Sequence, residues 1–167
     1  AIQSITPNAA LSEEHLAGDA DPAKHDVAVV VIGERPYAEG MGDVRPGDNV
    51  IIEAGSQIRG EMKVLEPYGR TLEHAVAHPE DLAIISALVA KGIPVVAILI
   101  SGRPLPVGPE LAAAQAFVAA WLPGSEAQGV SDVLFGDYDF QGRLSFAWPR
   151  DAASINDSST APLFPLG

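Results

Sequence analysis

The stretch Val27-Ala28-Val29-Val30-Val31-Ile32-Gly33-Glu34 decides the fold. It is an unbroken apolar run, mostly β-branched, that stops at a glycine. A strand with one wet face alternates apolar and polar residues, whereas a continuous run suits a strand covered on both faces of a parallel sheet. A second run of the same kind, Val95-Val96-Ala97-Ile98-Leu99-Ile100, stops at Ser101-Gly102. Between them lies a helix signature. Pro79 fits a first helical turn, where its missing N–H costs nothing, and Glu80 and Asp81 suit the positive end of the helix dipole. Leu82, Ile85, Leu88 and Val89 form an apolar stripe. Lys91 suits the negative end, Gly92 suits the position after it, and Pro94 stops continuation. Strand, helix, strand in this order is a βαβ crossover, expected to be right-handed.

Reading outward from this unit, Pro109 to Gln115 predicts a short helix and Ala116 to Trp121 a third buried strand. Glu126 to Phe135 predicts a helix with Val130, Val133 and Leu134 on its buried face, ended by Gly136. Leu144 to Trp148 alternates and predicts an antiparallel or edge strand before Pro149. Ala1 to Ile5 reads as the tail of a helix and Ala9 to Ser12 as a short strand. Residues 44–78 are rich in glycine, and within them Val50 to Glu53 can pair with Glu61 to Leu65 as a hairpin. The stretch from Ser154 to Thr160 is polar and reads as irregular. The expected fold class is therefore α/β: a mostly parallel sheet flanked by helices, a three-layer α/β/α sandwich, with one antiparallel edge strand. Residues 1–167 read as a single domain of this kind, a length that suits one domain.

Composition narrows the function. The 22 acidic residues against 10 Lys and Arg give a formal charge of −12. That balance argues against nucleic acid, whose phosphates need clustered cations, and against an anionic membrane surface. No cysteine is present, which removes disulfides, thiolate-bound zinc, iron–sulfur clusters and thiol catalysis. No apolar run approaches the roughly 20 residues of a membrane span. The first residue is Ala rather than Met, and no basic segment with an apolar stretch follows it.

In open parallel sheets ligands bind beyond the C-terminal ends of the strands. Two segments stand there. Within Gly33 to Asp48, the stretch Gly33 to Asp43 carries Glu34, Glu39 and Asp43 with an Arg and a Tyr, so it can present a general acid or base; from composition alone a solvated acidic loop is the commoner reading. Ser101-Gly102-Arg103-Pro104 puts a guanidinium at a strand end, able to clamp a carboxylate or sugar hydroxyl, or to fasten two loops together. Neither a Gly-x-Gly-x-x-Gly nor a Gly-Lys-Ser/Thr phosphate cradle is present, nor a Gly-x-Ser-x-Gly nucleophile elbow. His74 and His78 have the i,i+4 spacing of helical metal ligands, but the zincin Glu is missing and Pro79 follows at once, so no metal is expected. Trp121 and Trp148 read as core or interface residues.

The segment Gly33-Glu34-Arg35-Pro36-Tyr37-Ala38-Glu39-Gly40-Met41-Gly42-Asp43 resembles the acid-loop motif of glycoside hydrolase family 3. Leu99 to Leu105, Ala119 to Val130, Asp132 to Tyr138, Gly142-Arg143-Leu144, Trp148-Pro149 and Pro162 to Gly167 resemble further motifs of that family, in its order. Within the family the chain is similar to the β-glucosidase and β-glucan exohydrolase branch. The resemblance implies the second, α/β sandwich domain of a two-domain enzyme whose (β/α)8 barrel supplies an Asp nucleophile. It implies that Glu39 is the general acid/base; Tyr37, Asp43 and Arg103 are expected to bind substrate or organise the loop, the match itself setting no role for Asp43. It implies a retaining hydrolase releasing β-linked glucose from non-reducing ends. The implied partners are a β-glucoside or β-glucan and the barrel, without cofactor, nucleic acid or membrane. A periplasmic or secreted location is also implied. Residues 44–78 are longer than in compact members, which leaves chain-length preference open. No barrel stands in these residues, so position 1 reads as a cut edge and the isolated chain is expected to be inactive. On this reading Glu39 would be an ordinary exposed acid alone, with its pKa raised once barrel and substrate desolvate it.

Two other readings compete. The domain can be a non-catalytic carbohydrate-contacting or structural module, with the acid/base supplied elsewhere. An unrelated doubly wound domain, such as a flavodoxin-like receiver, would need paired acids at the first strand's end and a later Lys; the ordered motifs disfavour it.

Overall fold

The computed structural model describes residues 17, 19–34, 51–52, 64–65, 71–157 and 159–167. Its elements are β1 (Ala28–Gly33), β2 (Ile51–Ile52), β3 (Val64–Leu65), α1 (His74–Ala77), α2 (Pro79–Ala90), β4 (Val95–Ile100), α3 (Gly108–Ala113), β5 (Ala116–Trp121) and α4 (Ala127–Phe135). The two apolar runs are neighbouring parallel strands, in register from Ala28 opposite Val95 to Gly33 opposite Ile100. β4 also pairs in parallel with β5, giving the order β1-β4-β5. β2 and β3 pair antiparallel, Ile51 opposite Leu65, as the hairpin reading predicts. The helix over Ala1 to Ile5 and the strand over Ala9 to Ser12 lie outside the described residues.

The central position of β4 accounts for its sequence. Val95, Ala97 and Leu99 are buried on one face and Ile98 on the other. α2 closes the first face with Ile85 and Leu88, and Ile93, Leu105, Val107 and Trp148 complete the core. β1 differs from the expectation of two covered faces. Ala28, Val30 and Ile32 pack on this core, while the alternate residues Val29 and Val31 are exposed. Among the described residues β1 pairs with β4 alone, and one of its faces is covered. β5, expected to be buried, pairs with β4 alone among the described residues, and its residues after the exposed Ala116 are half-buried.

Helix ends follow local chemistry. α2 begins with Pro79, Glu80 and Asp81 in its first turn. It ends where Gly92 adopts φ +83° and donates its N–H to Val89 O at 2.9 Å. Lys91 Nζ reaches back to the carbonyls of Ala17 and Ala20. α3 is shorter than its sequence suggests. Gln115 leaves the helix because it braces the start of β4: Val95 N donates to Gln115 Oε1 at 2.6 Å, and Gln115 N donates to Val95 O at 3.0 Å. In α4 the fully buried residue is Ser131; Val130, Val133 and Leu134, expected to form a buried face, are half-buried. Gly136 ends this helix at φ +85°.

The antiparallel strand expected over Leu144 to Trp148 does not form. One bridge, Trp148 to Phe164, takes its place. The Trp148 indole is drawn into the core, its Nε1 donating to Leu105 O at 2.7 Å, and Pro149 has no N–H for a ladder. Leu144 O instead accepts from Gly167 N at 3.0 Å, so the C-terminal segment takes up the acceptor.

A buried polar cluster joins the helices on one side of β4. His74 Nε2 lies 2.9 Å from Asp81 Oδ2, and the His74 N–H donates to Pro106 O at 3.0 Å. Asp81 therefore does more than complement the helix dipole: it is a buried partner for an imidazole. Glu110 in α3 has no exposed surface, and neither carboxylate oxygen has a hydrogen-bond partner among the described residues. Burial pushes its pKa above the ordinary 4.5; its own N–H and the His74 ring oppose this, while Asp81 and Glu73 add to it.

Two outcomes are expected. The folded chain keeps the Glu110 proton to higher pH than the unfolded chain. Stability from this group is thus present below pH 4.5 and is lost as pH rises through the raised folded value. Glu110→Gln removes that dependence, so urea midpoints across pH should show the variant gaining on the wild type as pH rises. At Gly33 an added Cβ would lie 2.7 Å from Ile100 O. Gly33→Ala is expected to lower stability by about 1–3 kcal/mol, read as a lower urea midpoint with unchanged m.

Candidate active site

Three features shape the C-terminal edge of the sheet. The first is the close approach of β1 and β4 at Gly33 and Ile100, which only a residue without Cβ permits. The second is the turn after β4. Ser101 is buried, its Oγ donates to Arg103 O at 2.7 Å, and its N–H donates to Trp121 O at 3.1 Å. This fixes the backbone from which the Arg103 side chain departs.

The third feature is the pair that these two create. Arg103 Nε donates to Glu34 Oε2 at 3.0 Å, and Arg103 Nη2 lies 2.9 Å from the same oxygen. The Glu34 side chain is 3% exposed and that of Arg103 21%. The guanidinium thus joins the chain leaving β1 to the chain leaving β4. Charge-assisted contacts of this geometry, partly shielded from water, are stronger than exposed ion pairs. Glu34 Oε1 has no hydrogen-bond partner among the described residues.

The register of β4 and β5 changes here as well. Leu99 faces Ala119 but Ile100 faces Trp121, so β5 carries a bulge. Trp121 sits at φ +56°, the left-handed region that bulky residues rarely occupy. Its ring meets Phe146 edge-on at 5.5 Å and Trp148 at 5.6 Å between centroids. Both tryptophans therefore take part in one aromatic cluster beside the core.

An open recess of about 480 Å³ lies along Val31, Gly33, Glu34, His78, Glu80 and Ile100. The His74 and His78 rings are 4.9 Å apart, but His74 Nε2 is engaged by Asp81 and His78 Nδ1 is 3.5 Å from Glu80 Oε1. Among the described residues no group of three His, Asp or Glu side chains could hold a metal ion.

Of the residues singled out by sequence, Arg103 is in place as described. Glu39, Tyr37 and Asp43 lie outside the described residues. Glu34 was read as one of several loop acids, and nothing in its spacing announces a partner 69 positions away. A legible signal existed nonetheless: a carboxylate and a guanidinium each follow the end of an apolar run. Glu110 and Asp81 carried no comparable signal, because an acid in a first helical turn usually faces solvent.

Known proteins share this arrangement of strands and motifs. A crystal structure of an exo-1,3/1,4-β-glucanase from a Pseudoalteromonas species superposes with a TM-score of 0.62 at 42% identity, covering 85% of this chain and 16% of that one. A periplasmic β-glucosidase of Salmonella typhimurium is 41% identical over 73 residues, 43% of this chain and 10% of the relative. A lysosomal β-glucosidase of Dictyostelium discoideum is 30% identical over 153 residues, 85% of this chain and 15% of the relative. The chain thus spans at most about a sixth of the length of these proteins. It matches the glycosyl hydrolase family 3 C-terminal domain over residues 2–167. With the parallel sheet and the ordered motifs, this match establishes that the chain belongs to glycosyl hydrolase family 3, as a C-terminal domain of that family.

Proposed function

We propose that this domain completes the active site of a retaining β-glucosidase or exo-β-glucanase by supplying Glu39 as general acid/base. The observation that carries the reading is the family match over residues 2–167, with the motif containing Glu39 directly after β1. The position supports it, since ligands of open parallel sheets lie beyond the C-terminal strand ends. So do the β-glucosidase and exo-β-glucanase names of the relatives.

Retaining hydrolysis needs two carboxyl groups roughly 5–5.5 Å apart across the scissile bond. In this proposal an Asp of a companion (β/α)8 barrel attacks the anomeric carbon. As its oxygen bonds to that carbon, the bond to the leaving oxygen breaks, and Glu39 delivers its proton there. In the second step a water gives its proton to Glu39 while its oxygen displaces the Asp. Glu39 ends protonated, ready for the next cycle. Tyr37, Asp43 and Arg103 are assigned to substrate binding or to holding the loop. No cofactor enters this chemistry. The substrate is a β-glucoside or β-glucan cleaved from its non-reducing end. A periplasmic or secreted location fits such a substrate and the periplasmic relative.

In the two-domain enzyme, Glu39→Gln is expected to cut kcat on poorly activated β-glucosides by about 10²–10⁴-fold, with KM largely retained. Steady-state kinetics on phenyl and dinitrophenyl β-glucosides measure this. A variant as active as the wild type on the phenyl substrate would overturn the assignment. Binding of gluco-oligosaccharides by the domain alone, with Glu39 dispensable, would favour a binding module.

A further inference from the structure

We infer that Glu34 and Arg103 form a positioning pair for the acid/base, the salt bridge holding the base of the segment that leads to Glu39. This deepens the proposed function and rests on it.

Glu34 is not available as an acid or base itself. Its side chain is 3% exposed, and its Oε2 meets both Nε and Nη2 of Arg103. Its backbone lies immediately after Gly33, whose approach to Ile100 O leaves no room for a Cβ. The strand end therefore cannot slide without a clash. Arg103 is fixed equally well from its own side, by the Ser101 Oγ bond to its carbonyl and by the Ser101 N–H bond to Trp121 O. Two rigid strand ends thus meet in one ion pair. Glu39 follows Glu34 by five positions, and a chain gains at most about 3.3–3.6 Å per residue. Fixing Glu34 therefore limits how far Glu39 can lie from the end of β1. Proton transfer tolerates little displacement: a misplacement of about 1 Å can cost about 10²-fold in rate.

The pair fits positioning better than stability alone. Arg103 remains partly in water, so a buried hydrophobic contact would serve stability as well without the cost of desolvating Glu34. The guanidinium adds direction, since its planar fork fixes the angle as well as the distance of the carboxylate.

The test uses the two-domain enzyme and variants Glu34→Gln and Arg103→Lys. Glu34→Gln keeps the shape and removes the charge. Arg103→Lys keeps the charge but loses the fork. Rates are measured on phenyl β-glucoside, whose leaving group needs protonation, and on dinitrophenyl β-glucoside, whose leaving group does not. Melting temperature is followed in parallel. We expect a loss of about 10–100-fold in kcat/KM on the phenyl substrate and less than about 3-fold in kcat/KM on the dinitrophenyl substrate, since kcat/KM reports the first step, where leaving-group protonation matters. Equal losses on both substrates, or no loss on either, would overturn the inference. So would failure of both variants to fold, which would make the pair structural. Glu39→Gln measured alongside separates the two claims. If it lacks the leaving-group dependence, the proposed function falls; if it has the dependence and Glu34→Gln does not, only the positioning role falls.

Discussion

The contact between Gly33 and the carbonyl of Ile100 is the constraint from which the described architecture follows. Parallel strands seldom approach so closely that a methyl group has no place. Here the approach occurs at the last paired residues of β1 and β4, where the chain leaves the sheet. It sets how far apart the next residues can be, and so lets Glu34 and Arg103 meet at 2.9 Å. A larger residue at position 33 would separate the strand ends and stretch that ion pair. The glycine therefore acts on two levels, packing the sheet and fixing the distance between two loops.

Much of this fold was legible because its signals are local and unopposed. The runs 27–32 and 95–100 could hardly be anything but strands, and the caps around Pro79 and Gly92 bracket α2. β5 was readable for the same reason. The errors came where tertiary contacts outweighed local pattern. Leu144 to Trp148 alternates like a strand, but the Trp148 indole finds a buried acceptor at Leu105 O and the backbone follows it. Gln115 has helical propensity, yet its amide serves β4 better. Val29 and Val31 carried the right β-propensity without the burial it implied, because the run itself does not say whether both faces are covered.

The site was legible in a different way. Arg103 stood out as a guanidinium at a strand end, with two roles open, and the structure supplies the partner that composition could not. Glu110 had no such signal. Its position after Pro109 reads as a first-turn acid facing water, whereas packing of α3 against α2 encloses it. Burial of an acid is a property of what surrounds it, and here the surroundings come from His74 and Asp81, about 30 to 36 positions earlier.

These two buried acids illustrate opposite uses of desolvation within one domain. Glu34 is matched with a full positive charge, so its burial stiffens a strand end and carries direction into the loop. Glu110 meets no such counter-charge among the described residues, and burial raises its pKa. A proton-transfer group in a retaining glycosidase needs both properties: a fixed position and a raised pKa. In the proposed enzyme the two come from different places. The sheet can hold the base of its loop, but desolvation and a second carboxylate have to come from the surface across the substrate. On that reading a domain able to close its own core would supply the acid/base and leave the nucleophile to the barrel. On the proposed reading, rigidity is supplied where the chain leaves the sheet, and the acid/base meets its nucleophile where the two domains and the sugar come together.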